Sequence, residues 1–218
     1  SAFLTTTFLG PQNQILIYQS LYANKGSLAG CLTMNTPTPS TPVDHFIQVG
    51  LNDSLDWLKP ANSKDTLYKN GFDIPLSAAG DVFIQTAPGG IVLGQQDRDY
   101  NAQIAFDAGG LESTIGSIDQ VFQIYNPGAG LVNKTAFISF EDGNSYKVAM
   151  PILNAATGAF SGSFTLPADA PGGARKITFE GLIVNRALEV EGFGYFLCPA
   201  SSSPGAPRRS GRVWLRPW

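Results

Sequence analysis

Residues 158–198 read GAFSGSFTLPADAPGGARKITFEGLIVNRALEVEGFGYFLC, and three runs within this stretch decide the fold. Phe160 to Leu166, Lys176 to Val184 and Gly192 to Cys198 are rich in β-branched and aromatic residues and alternate with a period of two, the pattern of half-buried strands. Pro, Gly and Asn punctuate the gaps, so the stretch reads as an antiparallel meander. The same texture recurs outward in both directions: Phe3 to Leu9, Gln14 to Tyr22, Ser27 to Met34, Gln120 to Tyr125, Thr135 to Glu141, Ser145 to Ile152 and Arg212 to Leu215. Between Phe137 and Met150 the text is FISFEDGNSYKVAM, where Asp142-Gly143 separates two runs and predicts a tight hairpin, Gly supplying the positive φ. Ser54 to Lys69 (SLDWLKPANSKDTLYK) fits at most a short helical turn, and Thr36 to Pro42 and Pro199 to Pro207 read as extended, flexible loops.

The 218 residues are 43% hydrophobic but only 14% charged, with 24 Gly and 15 Pro. Such a chain folds by burial, with many turns and few helices. The expectation is an all-β antiparallel sandwich or partly open barrel of one unit, divisible into halves at 1–95 and 96–218. Residues 1–34 follow the same order as 158–198: a strand opening on Ala-Phe, a Pro turn, a long apolar strand, an Asn turn and a Gly-led strand. That order suggests two related, duplicated sheets.

Composition also removes functions. A net charge of −3 supplies no field for nucleic acid, and no window approaches the length of a membrane-spanning helix. Ser1 opens the chain without Met or a signal segment, as a processed piece would. His45 is the only imidazole, and G-x-S-x-G, H-E-x-x-H, C-x-x-C and the phosphate-binding glycine motifs are missing, so no triad, zinc site or nucleotide cofactor is expected. Asp53 with Asp56, Asp97 with Asp99, Glu141 with Asp142, and Glu189 with Glu191 are the carboxylate pairs that a hydrolase or calcium site would use; solvated charge explains them as well. Trp57, Tyr68, Trp214 and Trp218 are the candidates for a glycan platform, although Trp57 and Trp214 sit in apolar alternation where core packing is the ordinary explanation. Cys31 and Cys198 end the third strand of the two copies and are candidates for a disulfide.

Several strings, taken in order, carry a resemblance: YQSLYANKGSLAGCLTM, LDWLKPANSKDTLYKNGF, ILNAATGAFSGSFTLP, KITFEGLIV, GFGYFLCP and the terminal SGRVWL. Together they resemble the C-terminal β-module of very large secreted proteins of planctomycete and verrucomicrobial bacteria, over most of the chain and least over residues 73–129. The family usually has an aromatic where this chain has Cys31. The resemblance implies an extracellular, cell-surface β-module with no catalytic residues to carry over.

The expected function is therefore structural: an extracellular subunit, not an enzyme and without cofactor, that assembles with copies of itself into a filament, fibre or surface layer. Two strands are candidates for the contact. FLTTTF is alternating and uncharged and would offer Phe3, Thr5 and Thr7 at an unprotected edge. The tail would offer Arg212, Val213, Trp214, Leu215 and Trp218, either as a donor strand to a neighbour or as closure of its own sheet. The alternative function is a carbohydrate-binding or adhesive module using exposed aromatics; a hydrolase is a third.

Overall fold

A computed structural model of the chain describes residues 9–35, 47–49, 53–81, 83, 92–93, 100–112, 115–125, 137–141, 143–185 and 190–218. Among them every regular element is a strand, and all pairing is antiparallel. The protein is all-β. It divides into two compact units, Ser1–Val82 and Phe83–Trp218, a boundary earlier in the chain than the division suggested at residue 95.

The first unit holds β1 (Gln14–Leu21), β2 (Gly26–Met34), β3 (Ile47–Gln48), β4 (Leu55–Lys59), β5 (Phe72–Pro75) and β6 (Ala79–Gly80) in one sheet. β2 is its centre, pairing with β1 along its whole length and with β4 and β3 at its two ends. The helical turn expected in Ser54 to Lys69 is instead β4, because Leu55, Trp57 and Lys59 alternate onto one face and Trp57 meets Phe72 of β5 edge-on at 5.0 Å. Pro60 then ends the strand. Leu32 and Leu55 are the most buried apolar side chains described in this unit.

The second unit holds β7 (Ala102–Ala108), β8 (Ile118–Tyr125), β9 (Phe137–Phe140), β10 (Ala149–Leu153), β11 (Ala159–Leu166), β12 (Arg175–Asn185), β13 (Val190–Pro199) and β14 (Arg208–Pro217), in the order β10-β11-β12-β13-β14-β7-β8-β9. The meander of residues 158–198 is β11, β12 and β13, paired in full register. This sheet is strongly curled. Phe106 of β7 and Phe164 of β11 lie four strands apart, about 19 Å in a flat sheet at 4.7–4.9 Å per strand, yet their ring centroids are 4.6 Å apart. Phe179 and Phe196 join them at 5.0 and 6.2 Å from Phe106, and Ile104, Phe122, Leu153, Phe160 and Leu215 complete a continuous interior. Between the described residues of β9 and β10 there is no ladder, so the barrel is partly open.

That order overturns the hairpin expected at Asp142-Gly143. β9 pairs with β8 and β10 pairs with β11, and no ladder joins β9 to β10 among the described residues, so the two strands form the edges of the sheet rather than a paired hairpin. Asn144 shapes the approach to β10: its side-chain amide donates to the Val148 carbonyl at 2.7 Å and its oxygen accepts from the Val148 N–H at 2.7 Å. Those bonds hold residues 144–148 as a turn, which is why β10 begins at Ala149 rather than at Ser145.

Candidate functional site

The tail candidates lie at the heart of the second sheet. β14 is bonded on one side to β13 (Gly192↔Leu215 to Pro199↔Arg208) and on the other to β7 (Gly211↔Ala108 to Pro217↔Ala102). The tail thus closes its own sheet, and the donor-strand alternative has no free backbone edge to use. The flexible tether expected before it is a closed turn, Ala200 N–H to the Pro207 carbonyl at 2.8 Å and Ser202 N–H to the Gly172 carbonyl at 3.0 Å. Val213 and Leu215 are buried in the core. Phe3, Thr5 and Thr7 lie outside the described residues, as do His45, Asp97, Asp99, Asp142, Glu189 and residues 36–42.

Cys31 and Cys198 are free thiols, one in each unit, in place of the disulfide considered from sequence. Cys198 faces the interior of the second unit with the Arg175 guanidinium at 3.9 Å. Burial, and then the Asp53 carboxylate, push the Cys31 thiol up from its ordinary value. Asp53 itself accepts from Thr33 at 3.0 Å. Among the described residues no group of three metal-ligating side chains occurs.

Trp214 corrects another expectation. Rather than packing in the core it points outward, 37% exposed, between the buried Val213 and Leu215. The register then places Leu182 of β12, Phe193 of β13, Trp214 of β14 and Ala105 of β7 in one row across the outer face. Leu182 is 57% exposed, and the Phe193 and Trp214 rings stand 6.0 Å apart at 58°. Charged residues border the row. Arg212 makes a two-pronged pair with Asp107, both bonds 2.8 Å, and lies 5.6 Å from the Trp214 ring. Arg216 donates to Gln103 at 2.8 Å. In the next row Tyr195 donates its hydroxyl to Glu180, and that bond pushes its phenol up from the ordinary value.

Beside this row, over β10 to β13, lies a trough of about 470 Å³. Its floor is made of short polar side chains, Ser161 and Ser163 of β11 and Thr178 of β12; Tyr195 and Leu197 form one wall and Lys176 and Arg208 line it as well. No sequence signal marks it. Its residues come from five strands and gather only because β10 to β14 are neighbours in the sheet. The first unit has an outward row of its own kind, in which Leu16 and Tyr18 alternate with the buried-face Ile15 and Ile17 along β1.

No family model matches the chain, and no curated protein or solved structure matches it either.

Proposed function

We propose that this chain is a non-enzymatic, extracellular structural β-module that associates with copies of itself through the outer face of β12 to β14. The observation that carries the reading is the cross-strand row Leu182, Phe193 and Trp214. These side chains are not needed to fill the barrel, whose interior already holds Phe106, Phe164, Phe179 and Phe196. An apolar and aromatic centre with an Arg-rich rim is the composition of a protein contact.

A second copy is the occupant because both signs of charge border the row. Glu180, Arg212 and Asp107 lie in the row on one side of it and Arg216 in the row on the other, so a two-fold copy brings acid and base together at the same contact. The low charge content and the resemblance to secreted bacterial β-modules support the extracellular setting. The face contact takes the place of C-terminal strand donation, since β14 is spent in its own sheet.

Sedimentation velocity across a concentration series, with electron microscopy, tests this. Leu182→Ser with Trp214→Ser is expected to weaken association by about tenfold or more while the far-ultraviolet circular dichroism stays that of a β protein. A parent that stays monomeric at every concentration, or a double variant as assembled as the parent, ends the proposal.

A further inference from the structure

The geometry points to the trough over β10 to β13 as a binding site for an anionic polysaccharide, a sugar chain bearing carboxylate or sulfate groups. Its volume of about 470 Å³ falls in the range of ligand sites, but it is open to solvent along one side, so a single small molecule would leave much of its surface wet. A polymer laid along it gains contact over several units. The floor supports that occupant: Ser161, Ser163 and Thr178 offer hydroxyls that both donate and accept, which is what a run of sugar hydroxyls requires. Tyr195 and Leu197, both more than 40% exposed, supply an apolar wall for the C–H face of a pyranose ring.

Charge selects the anionic class. Lys176 and Arg208 line the trough, and neither has an ion-pair partner among the described residues. Glu180, the acid among the described lining residues, is held by the Tyr195 hydroxyl. Two cations with no ion-pair partner among the described residues, set over a run of hydroxyls, recognise a chain that carries one negative charge per sugar. The overall net charge of −3 supplies no general attraction for an anion, so the preference rests on these two side chains. The trough shares Glu180 with the rim of the self-association face, but its contacts with a sugar chain use Lys176, Arg208 and Tyr195 rather than Leu182 and Trp214.

Native gel electrophoresis of the full chain through gels containing sodium polygalacturonate, a sulfated galactan or neutral dextran tests it. Retardation is expected in one or both acidic gels and not in dextran, the two acidic gels separating carboxylate from sulfate as the charged group. Tyr195→Ala and the pair Lys176→Ala with Arg208→Ala should each weaken it about tenfold, and raising salt from about 50 to about 300 mM should weaken the parent's retardation. Trp214→Ser should leave it unchanged, which separates this site from the self-association face. All the altered residues are exposed, and circular dichroism melts of the variants matching the parent confirm that folding is intact. No retardation in either acidic gel, equal retardation in dextran, or retardation indifferent to both sets of trough variants overturns the proposal.

Discussion

Two buried polar side chains show how single residues hold this molecule. Asn101 is 1% exposed, and its amide extends the β7–β8 ladder by one step: Nδ2 donates to the Ile124 carbonyl and Oδ1 accepts from the Ile124 N–H, both at 2.8 Å. Replacing it by Leu keeps the volume but leaves both backbone groups of Ile124 unpaired in the core, which costs about 1–3 kcal/mol each. Asn101→Leu is therefore expected to lower unfolding stability by about 3 kcal/mol in urea titrations, and a loss below about 1 kcal/mol would contradict this account. Lys59 is buried likewise and aims its ammonium at Asp65, at 2.8 Å, and at the Tyr68 carbonyl, at 3.0 Å. The Lys59 bond, aided by the N–H groups of Tyr68 and Leu67, holds the Asp65 carboxyl at about 2 against its ordinary 3.8. A carboxyl lowered in the folded state stabilises above its unfolded pKa and loses that contribution as pH falls through the folded one. Thermal melts should thus show the first unit weakening from about pH 4 down to about pH 2, and Asp65→Asn should flatten that part of the profile. Neither role is visible in the sequence. A lone Asn or a Lys in LDWLKP reads as surface until the ladder or the carboxylate beside it is known.

At the scale of strands, alternation told which segments extend but not which face turns inward. In β13 the interior positions are Gly192, Gly194, Phe196 and Cys198, whereas Phe193, Tyr195 and Leu197 face outward. Glycines occupy inner positions because rings lie over them: a Cβ at Gly211 would collide with the Phe196 ring, and one at Gly181 with Phe160. Gly211→Val is accordingly expected to disrupt the second unit rather than add useful core volume. β14 is the element on which most depends, since it joins β13 to β7 through ladders on both of its sides. Had it been an exchangeable donor strand, deleting residues 208–218 would disperse an assembly and leave folded subunits. Placed at the centre, its loss opens two strand edges and uncovers the core beneath Val213 and Leu215, so the truncated chain should lose its cooperative thermal transition by circular dichroism. A truncated chain melting like the parent would refute the central placement. The signals at Asp142-Gly143 misled for a related reason. Turn chemistry fixes a local bend, but whether the strands on either side then pair is decided by the rest of the sheet, and here each found its partner elsewhere.

Among the described residues, the two units differ in how deeply they bury apolar side chains. Within Phe83–Trp218 the described interior is continuous, from Val92 and Leu93 through the four clustered phenylalanines to Leu215. Within Ser1–Val82, Leu32 and Leu55 alone among the described apolar residues reach comparable burial, while Leu16 and Tyr18 stand 62% and 69% exposed on the outer side of β1. Burial of apolar surface stabilises by roughly 25 cal/mol per Å², so strands whose described apolar side chains stay half-exposed gain far less than strands curled around a shared core. The composition foretold an ample core but not its distribution, because FLTTTF and QILIYQSL alternate as well as any strand of the second unit. Local opening is expected where buried apolar contacts are fewest. Limited proteolysis under native conditions should therefore cut first within Ser1–Val82, and hydrogen exchange should protect β11 to β14 and β7 longest. It follows that a fragment beginning at Phe83 keeps a cooperative melt, since all the residues of the continuous core lie within it. Slower exchange in β1 and β2 than in β13 and β14, or a fragment 83–218 that fails to melt cooperatively, would assign the stabilising core to the wrong half of the chain.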